Sequence, residues 1–174
     1  QGRVHPEAYE LFLRGELSVA QGNPTGVDRA VAYYEQALAR DPSFAPAHAG
    51  LAGAHFAQEF WGTAPAKSNA DKVRASVARA RALDPNLADA HVMKARVQLN
   101  YDWDWAGTEA SLKRAIALAP GLTFAYETYC WLLLSQGRRD EAIANARKTV
   151  TLDPRSSYMA FTEGRVLHRV RRYK

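Results

Sequence analysis

Apolar residues recur along this chain at spacings of three and four, in short blocks, every second one of which stops at a proline. Such spacing puts side chains on one face of an α-helix. The first block, about 7–21, sets Leu11, Leu13, Leu17 and Ala20 at its apolar positions, and Gly22-Asn23-Pro24-Thr25-Gly26 is expected to stop it. A helix over about 27–40 carries Ala30, Tyr34, Ala37 and Leu38 and ends at Asp41-Pro42, because the residue before a proline is pushed out of the helical region. The pattern then predicts helices over about 45–58, 70–83, 88–101 and 106–118, a helical pair within 123–154 turning at Gln136-Gly137-Arg138-Arg139, and one more helix from about Ser156. Residues 61–69 read as an insertion of about nine residues in an otherwise regular spacing.

The blocks repeat. Ala37-Leu38-Ala39-Arg40-Asp41-Pro42 is echoed by the segments ending at Pro85, Pro120 and Pro154, at intervals of 43, 35 and 34 residues. Gly15, Ala52, Ala95, Cys130 and Gly164 fall at equivalent points of the first helices, and Ala30, Ala37, Ala80, Ala115 and Ala142 recur in the second helices. Small residues at fixed points let paired helices approach closely, and larger ones such as Tyr34, Phe44 and Tyr126 fill the gaps between. A helical hairpin of this length cannot bury its apolar stripe alone, so neighbours must stack.

With Ala125-Tyr126, Cys130, Gly137, Ala142 and Pro154 at their expected offsets, the chain resembles tetratricopeptide repeats over essentially its whole length. Tyr129 and Thr149 depart from the pattern, where Leu and Ala are usual. The resemblance implies an all-α right-handed solenoid of helix-turn-helix units: about 7–42, 44–85, 87–120 and 122–154, with a partial fifth at 156–174. Residues 6–15 (Pro-Glu-Ala-Tyr-Glu-Leu-Phe-Leu-Arg-Gly) and 101–107 (Tyr-Asp-Trp-Asp-Trp-Ala-Gly), with the long insertion, resemble a bacterial subgroup. Arrays of that subgroup lie C-terminal to winged-helix transcriptional regulators, adenylate cyclases or Ser/Thr kinases. Both ends of the chain read as cuts in such a longer protein.

The charge of +5 sits at one end. Residues 155–174 hold Arg155, Arg165, Arg169, Arg171, Arg172 and Lys174 against Glu163, while the first 154 residues are balanced at 17 basic and 17 acidic groups. A nucleic-acid surface needs a broader basic stripe, so the balance argues against one. No apolar run approaches the roughly 20 residues of a membrane span, and the expected setting is cytoplasmic, or periplasmic if the parent carries an upstream membrane helix. The one cysteine, Cys130, excludes an intramolecular disulfide and stands in an apolar run as a packing residue.

Catalytic patterns are missing. There is no phosphate-binding glycine loop, nucleophile elbow or His-Glu-x-x-His, and neither an enzyme nor a cofactor is expected. His48 and His55 are seven apart and share a helix face, but no carboxylate or cysteine completes a zinc set. His48 and His91 occupy one repeat position, where an aromatic ring usually packs. Asp104 is expected to cap the helix that follows it, and Trp103 and Trp105 to clamp neighbouring units.

Function is therefore sought on the concave groove that the first helices of such a solenoid line. The repeat register sets Phe12, Glu16, Phe56, Val92, Arg96, Leu99 and Asn100 there, followed by Glu127, Trp131, Tyr158, Phe161, Arg165 and His168. Of these, Phe12, Glu16, Arg96, Asn100, Glu127, Trp131, Tyr158, Phe161 and Arg165 are the candidate partner-binding residues. Exposed aromatics and arginines favour protein or peptide recognition, and Arg96, Asn100 and Arg165 suit a carboxylate. Phe12 and Glu16 stand where a chaperone-tail clamp needs Lys and Asn, which argues against that ligand. The alternative is self-association, with a homodimer covering Val166, Leu167 and Val170 of the last helix.

Overall fold

A computed structural model of the chain describes residues 4–63 and 66–170, the side chains of 66–68 excepted. Arg171, Arg172 and Lys174 of the basic end, and the middle of the expected insertion, lie outside the described residues. The described residues form helices α1 (Pro6–Val19), α2 (Pro24–Arg40), α3 (Ala45–Phe60), α4 (Ala66–Leu83) and α5 (Ala88–Val97). A π-helical turn over Gln98–Asp102 follows, then α6 (Trp105–Leu118), α7 (Thr123–Ser135), α8 (Arg139–Leu152) and α9 (Ser157–Arg169). They group into two compact units, Gln1–Met93 and Lys94–Lys174.

The proline punctuation has one geometry. At the end of each second helix the backbone N–H of Asp41, Asp84, Ala119 and Asp153 donates four residues back, to Ala37, Ala80, Ala115 and Thr149, at 2.9–3.0 Å. The next residue is the proline, which cannot extend the helix. The turn then closes as the backbone N–H of Phe44, Leu87, Leu122 and Ser156 donates to the carbonyls of Asp41, Asp84, Ala119 and Asp153. Three turns are pinned from the following helix as well. A ring nitrogen of His48 lies 3.1 Å from the Pro42 carbonyl and one of His91 lies 2.8 Å from that of Pro85, while the Tyr126 hydroxyl donates to Pro120 at 3.0 Å. The two histidines thus do the work of the tyrosine. His48 is held below its ordinary pKa, chiefly by burial.

In the first unit α1 packs on α2 and α3, and α3 on α4. Gly15 and the second-helix alanines Ala30, Ala37 and Ala80 are buried, as is Ala52. The buried side of α1 is not the expected one. It consists of Ala8, Gly15 and Ser18, with Leu11, Phe12 and Val19 half-buried, while Leu13 is 42% and Leu17 70% exposed. Leu11 and Leu13, two apart on a helix, cannot share a face. The run from Gly22 to Gly26 is also corrected. Gly22 takes a φ of 61°, but Asn23 caps α2 by accepting from Gly26 N–H at 2.8 Å, and Pro24 opens the helix. Proline at the first helical position loses no hydrogen bond and is pre-set in φ, so it starts the helix here. The expected insertion is also shorter, because α4 already runs from Ala66 and buried Asn69 donates to the His55 carbonyl at 2.8 Å.

In the second unit α7 packs on α6, α8 and α9. One core joins Ala95, Leu99, Leu112 and Leu132; another joins Cys130, Leu133, Ala142, Ile143, Ala146, Val166 and Val170. Cys130 is fully buried, and desolvation raises its thiol to about 12, with the Glu127 charge adding to the shift. Asp104 caps α6 as expected, accepting from Gly107 N–H at 2.9 Å. The tryptophans beside it do not act as clamps: Trp103 is 74% exposed in a left-handed conformation (φ 56°), and Trp105 is 41% exposed. The π-helical turn before Trp103 explains this, since its extra residue rotates the chain out before α6 begins.

A charged clamp ties α6, α7 and α8. Glu109 accepts from Tyr129 at 2.7 Å and from Arg138 at 3.2 Å, and Arg138 also pairs with Glu141 at 2.7 Å. The Tyr129 hydroxyl, then Lys113, then Arg138 hold Glu109 down to about 2. A depressed carboxylate contributes stability above its unfolded pKa and loses it as pH falls through the folded one. Glu109→Gln is therefore expected to be less stable than the parent at pH 6. The two should converge between about 4.5 and about 2, read as the gap between urea midpoints; a constant gap over that range counts against the clamp.

Candidate functional site

The second unit gathers most of the residues that the repeat register selects. Glu127 of α7 is their hub. Its side chain is 4% exposed and pairs with Arg96 of α5 at 2.7 Å, Arg96 itself being 15% exposed. Arg96 Nε donates to Thr128 Oγ1 at 3.1 Å. The other Glu127 oxygen accepts a short hydrogen bond from the indole N–H of Trp131, one helical turn on, and a 3.3 Å bond from the Tyr158 hydroxyl of α9. One carboxylate thereby fixes side chains from three helices. Tyr158 is pushed up to about 12, by desolvation first and by the Glu127 charge second.

An aromatic and cationic layer lies over the hub. Phe124 and Tyr158 meet at 6.2 Å between ring centroids, with the Arg96 guanidinium 5.5 Å from the Phe124 ring. Arg165 lies 4.7 Å over Trp131 and 5.6 Å over Phe161, and Arg169 lies 5.6 Å over Trp131. Phe161 is 58% and Tyr158 41% exposed. A shallow cavity of about 290 Å³ is lined by Phe161, Gly164, Arg165, His168 and Arg169.

This geometry divides the sequence candidates. Trp131, Tyr158, Phe161 and Arg165 form the open layer, and Arg169, which the register did not select, joins them. An i,i+4 step from Arg165 was the signal for it. Arg96 and Glu127 are each other's partners, so Arg96 is not a waiting carboxylate receptor. Asn100 donates to the Arg96 carbonyl at 2.9 Å, inside its own helical turn. Val92 and Leu99 are core residues.

In the first unit Phe12 packs 5.2 Å from Phe44 and 5.9 Å from Tyr34, and Glu16 accepts a short hydrogen bond from the Tyr34 hydroxyl. Both are engaged in joining α1 to its neighbours. Burial and the Glu16 charge push the Tyr34 hydroxyl above its ordinary pKa.

The dimer surface is corrected too. Val166 is fully buried, Val170 is 8% exposed and Leu167 is half-buried, all packed in the core shared with α7 and α8, so they need no second copy to cover them. Gly164 differs from its counterparts: a Cβ there would meet nothing within 4 Å, whereas one at Gly15 would lie 2.5 Å from Tyr34. Among the described residues no three His, Cys, Asp or Glu side chains come together as a metal site, and no helix is long and apolar enough to cross a membrane.

No family model matches the chain, and no curated protein matches it in sequence. Solved structures do match. The thermophilic TPR protein TTC0263 of Thermus thermophilus superposes with a TM-score of 0.71 over 94% of this chain and 82% of its own, at 22% identity. The fold is that of a tetratricopeptide-repeat protein. YrrB, described as a TPR protein with an unusual peptide-binding site, aligns over 96% of this chain and 79% of its own, with a TM-score of 0.53 and 19% identity. Human IFIT1, solved as a dimer with m7Gppp-AAAA, gives 0.76 over 94% of this chain but 36% of its own, at 19% identity. At these identities the likeness establishes the tetratricopeptide-repeat fold and leaves the ligand to the site itself.

Proposed function

We propose that the chain is a protein- or peptide-binding module, acting by recognition and not by catalysis. Its contact surface is the layer of Trp131, Tyr158, Phe161 and Arg165. The observation that carries this reading is the buried Glu127 hub beneath exposed rings. Aromatics already held in one rotamer lose little freedom when a partner arrives, which is where binding energy is otherwise spent. Aromatic and arginine side chains are the usual anchors of protein interfaces. A peptide-binding site in the structurally similar YrrB points the same way. The resemblance of residues 6–15 and 101–107 to arrays of bacterial regulators supports a place as the regulatory or sensory part of a signalling or transcription protein, working in the cytoplasm.

A photo-crosslinking residue at position 161, compared with one at Lys148 on a second helix, tests the surface. Crosslinking in the cells that make the protein should give a discrete partner from position 161 only. Phe161→Ala/Arg165→Ala, whose side chains lie outside the core, should weaken that partner's binding at least about tenfold with an unchanged melting curve. Equal crosslinking from both positions, or undiminished binding by the double variant, would reject this face.

A further inference from the structure

Resting on that reading, we propose that the partner segment is acidic, and that Arg165 and Arg169, which lie over Trp131, receive its carboxylates. The two arginines stand four apart on α9, where like charges repel. Neither has a carboxylate partner among the described residues. Both are instead placed over one indole, at 4.7 and 5.6 Å. A guanidinium carries five N–H donors and an aromatic ring offers them no lone pair, so donors remain to grip a carboxylate through two parallel bonds.

The carboxylates nearby do not answer this charge. Glu127 is neutralised by Arg96 and saturated by Trp131 and Tyr158. Glu163 faces Arg147 of α8 at 4.0 Å. The platform therefore keeps two positive charges beside a cavity of about 290 Å³, and His168 on the cavity wall adds no negative charge. Glu127 acts here as a positioning residue. Its hold on the indole N–H sets the ring on which both cations rest.

Calorimetry with a capped hexaglutamate peptide tests the chemistry, with capped hexaglutamine and inorganic phosphate as parallel probes. Two variants of equal net charge are compared: Arg165→Gln/Arg169→Gln, and Lys148→Gln/Arg155→Gln, which removes exposed charges outside the cluster. Hexaglutamate is expected to bind the parent and the second variant alike, to bind the first at least about tenfold more weakly, and to shift the Trp131 indole N–H resonance. Hexaglutamine should not bind. Equal affinity for both variants would mean that net charge alone attracts the peptide, and would overturn the site. Phosphate competing at equal concentration would assign the cluster to free anions instead of a peptide. If the position-161 crosslink persists in saturating hexaglutamate, the face still binds its partner but not through acidic groups; if the crosslink itself fails, the binding surface is lost along with the inference.

Discussion

Glu127→Ala is expected to destabilise the second unit by about 3–5 kcal/mol, because it removes the buried carboxylate that pairs with the largely desolvated Arg96. A surface ion pair would contribute a small fraction of that. Here the guanidinium is 15% and the carboxylate 4% exposed, so solvent cannot replace the lost partner. The truncation also strands the Trp131 indole N–H, which adds the penalty for an unmade bond. These two contributions separate in a second variant. Arg96→Met/Glu127→Leu removes both charges and fills their volume, a replacement that is close to neutral at many buried pairs. It should recover roughly half of the loss and keep a deficit of about 1–3 kcal/mol from the indole and the Tyr158 hydroxyl. Urea denaturation of the four combinations gives the coupling energy directly. A double variant as unstable as Glu127→Ala would show that Arg96 is not the stranded group. Partner binding should fall in both variants even where folding is restored, because the indole is no longer held.

The ends of the helical pairs were legible because they depend on residues adjacent in sequence. A proline after Asp41, Asp84, Ala119 or Asp153 removes one backbone donor and restricts one neighbour, and no distant contact can reverse that. Asp104 as a helix cap was legible for the same reason. The gathering of Trp131, Tyr158, Phe161 and Arg165 followed from register, since equivalent positions on successive first helices share a face. Register says nothing, however, about which charges on that face meet. The Arg96–Glu127 pair depends on two long side chains reaching from α5 to α7, and their mutual neutralisation turns two expected ligand contacts into a support. Pro24 shows a local rule with two outcomes. Proline ends one helix and opens another, and Asn23 before it was the residue that decided between them. Trp103 went unread because a π-helical turn has no period of its own in a sequence built on three and four.

The first unit offers a position where helix propensity and packing predict opposite signs. Alanine is favoured over glycine inside a helix by about 1 kcal/mol, so Gly15→Ala in the middle of α1 should stabilise if local preference governs. Packing says otherwise. A Cβ at Gly15 would lie 2.5 Å from Tyr34 Cε1, and Gly50 is packed against the same ring so closely that a Cβ there would lie 2.8 Å from it. Its hydroxyl is tied to Glu16, and Phe12 leans on it at 5.9 Å. Gly15→Ala is therefore expected to destabilise by about 1–3 kcal/mol. Tyr34→Ala should cost about 3–5 kcal/mol through the cavity it opens. The combination decides the cause: with the ring gone, the methyl at position 15 points into vacated space, and the substitution should change sign and stabilise by up to about 1 kcal/mol. Thermal melts of the two single variants and the double variant measure that reversal. Were Gly15→Ala stabilising in the parent background, close approach to Tyr34 would not be the reason for glycine at this point of the repeat, and the recurrence of small residues at Ala52, Ala95 and Cys130 would need another explanation.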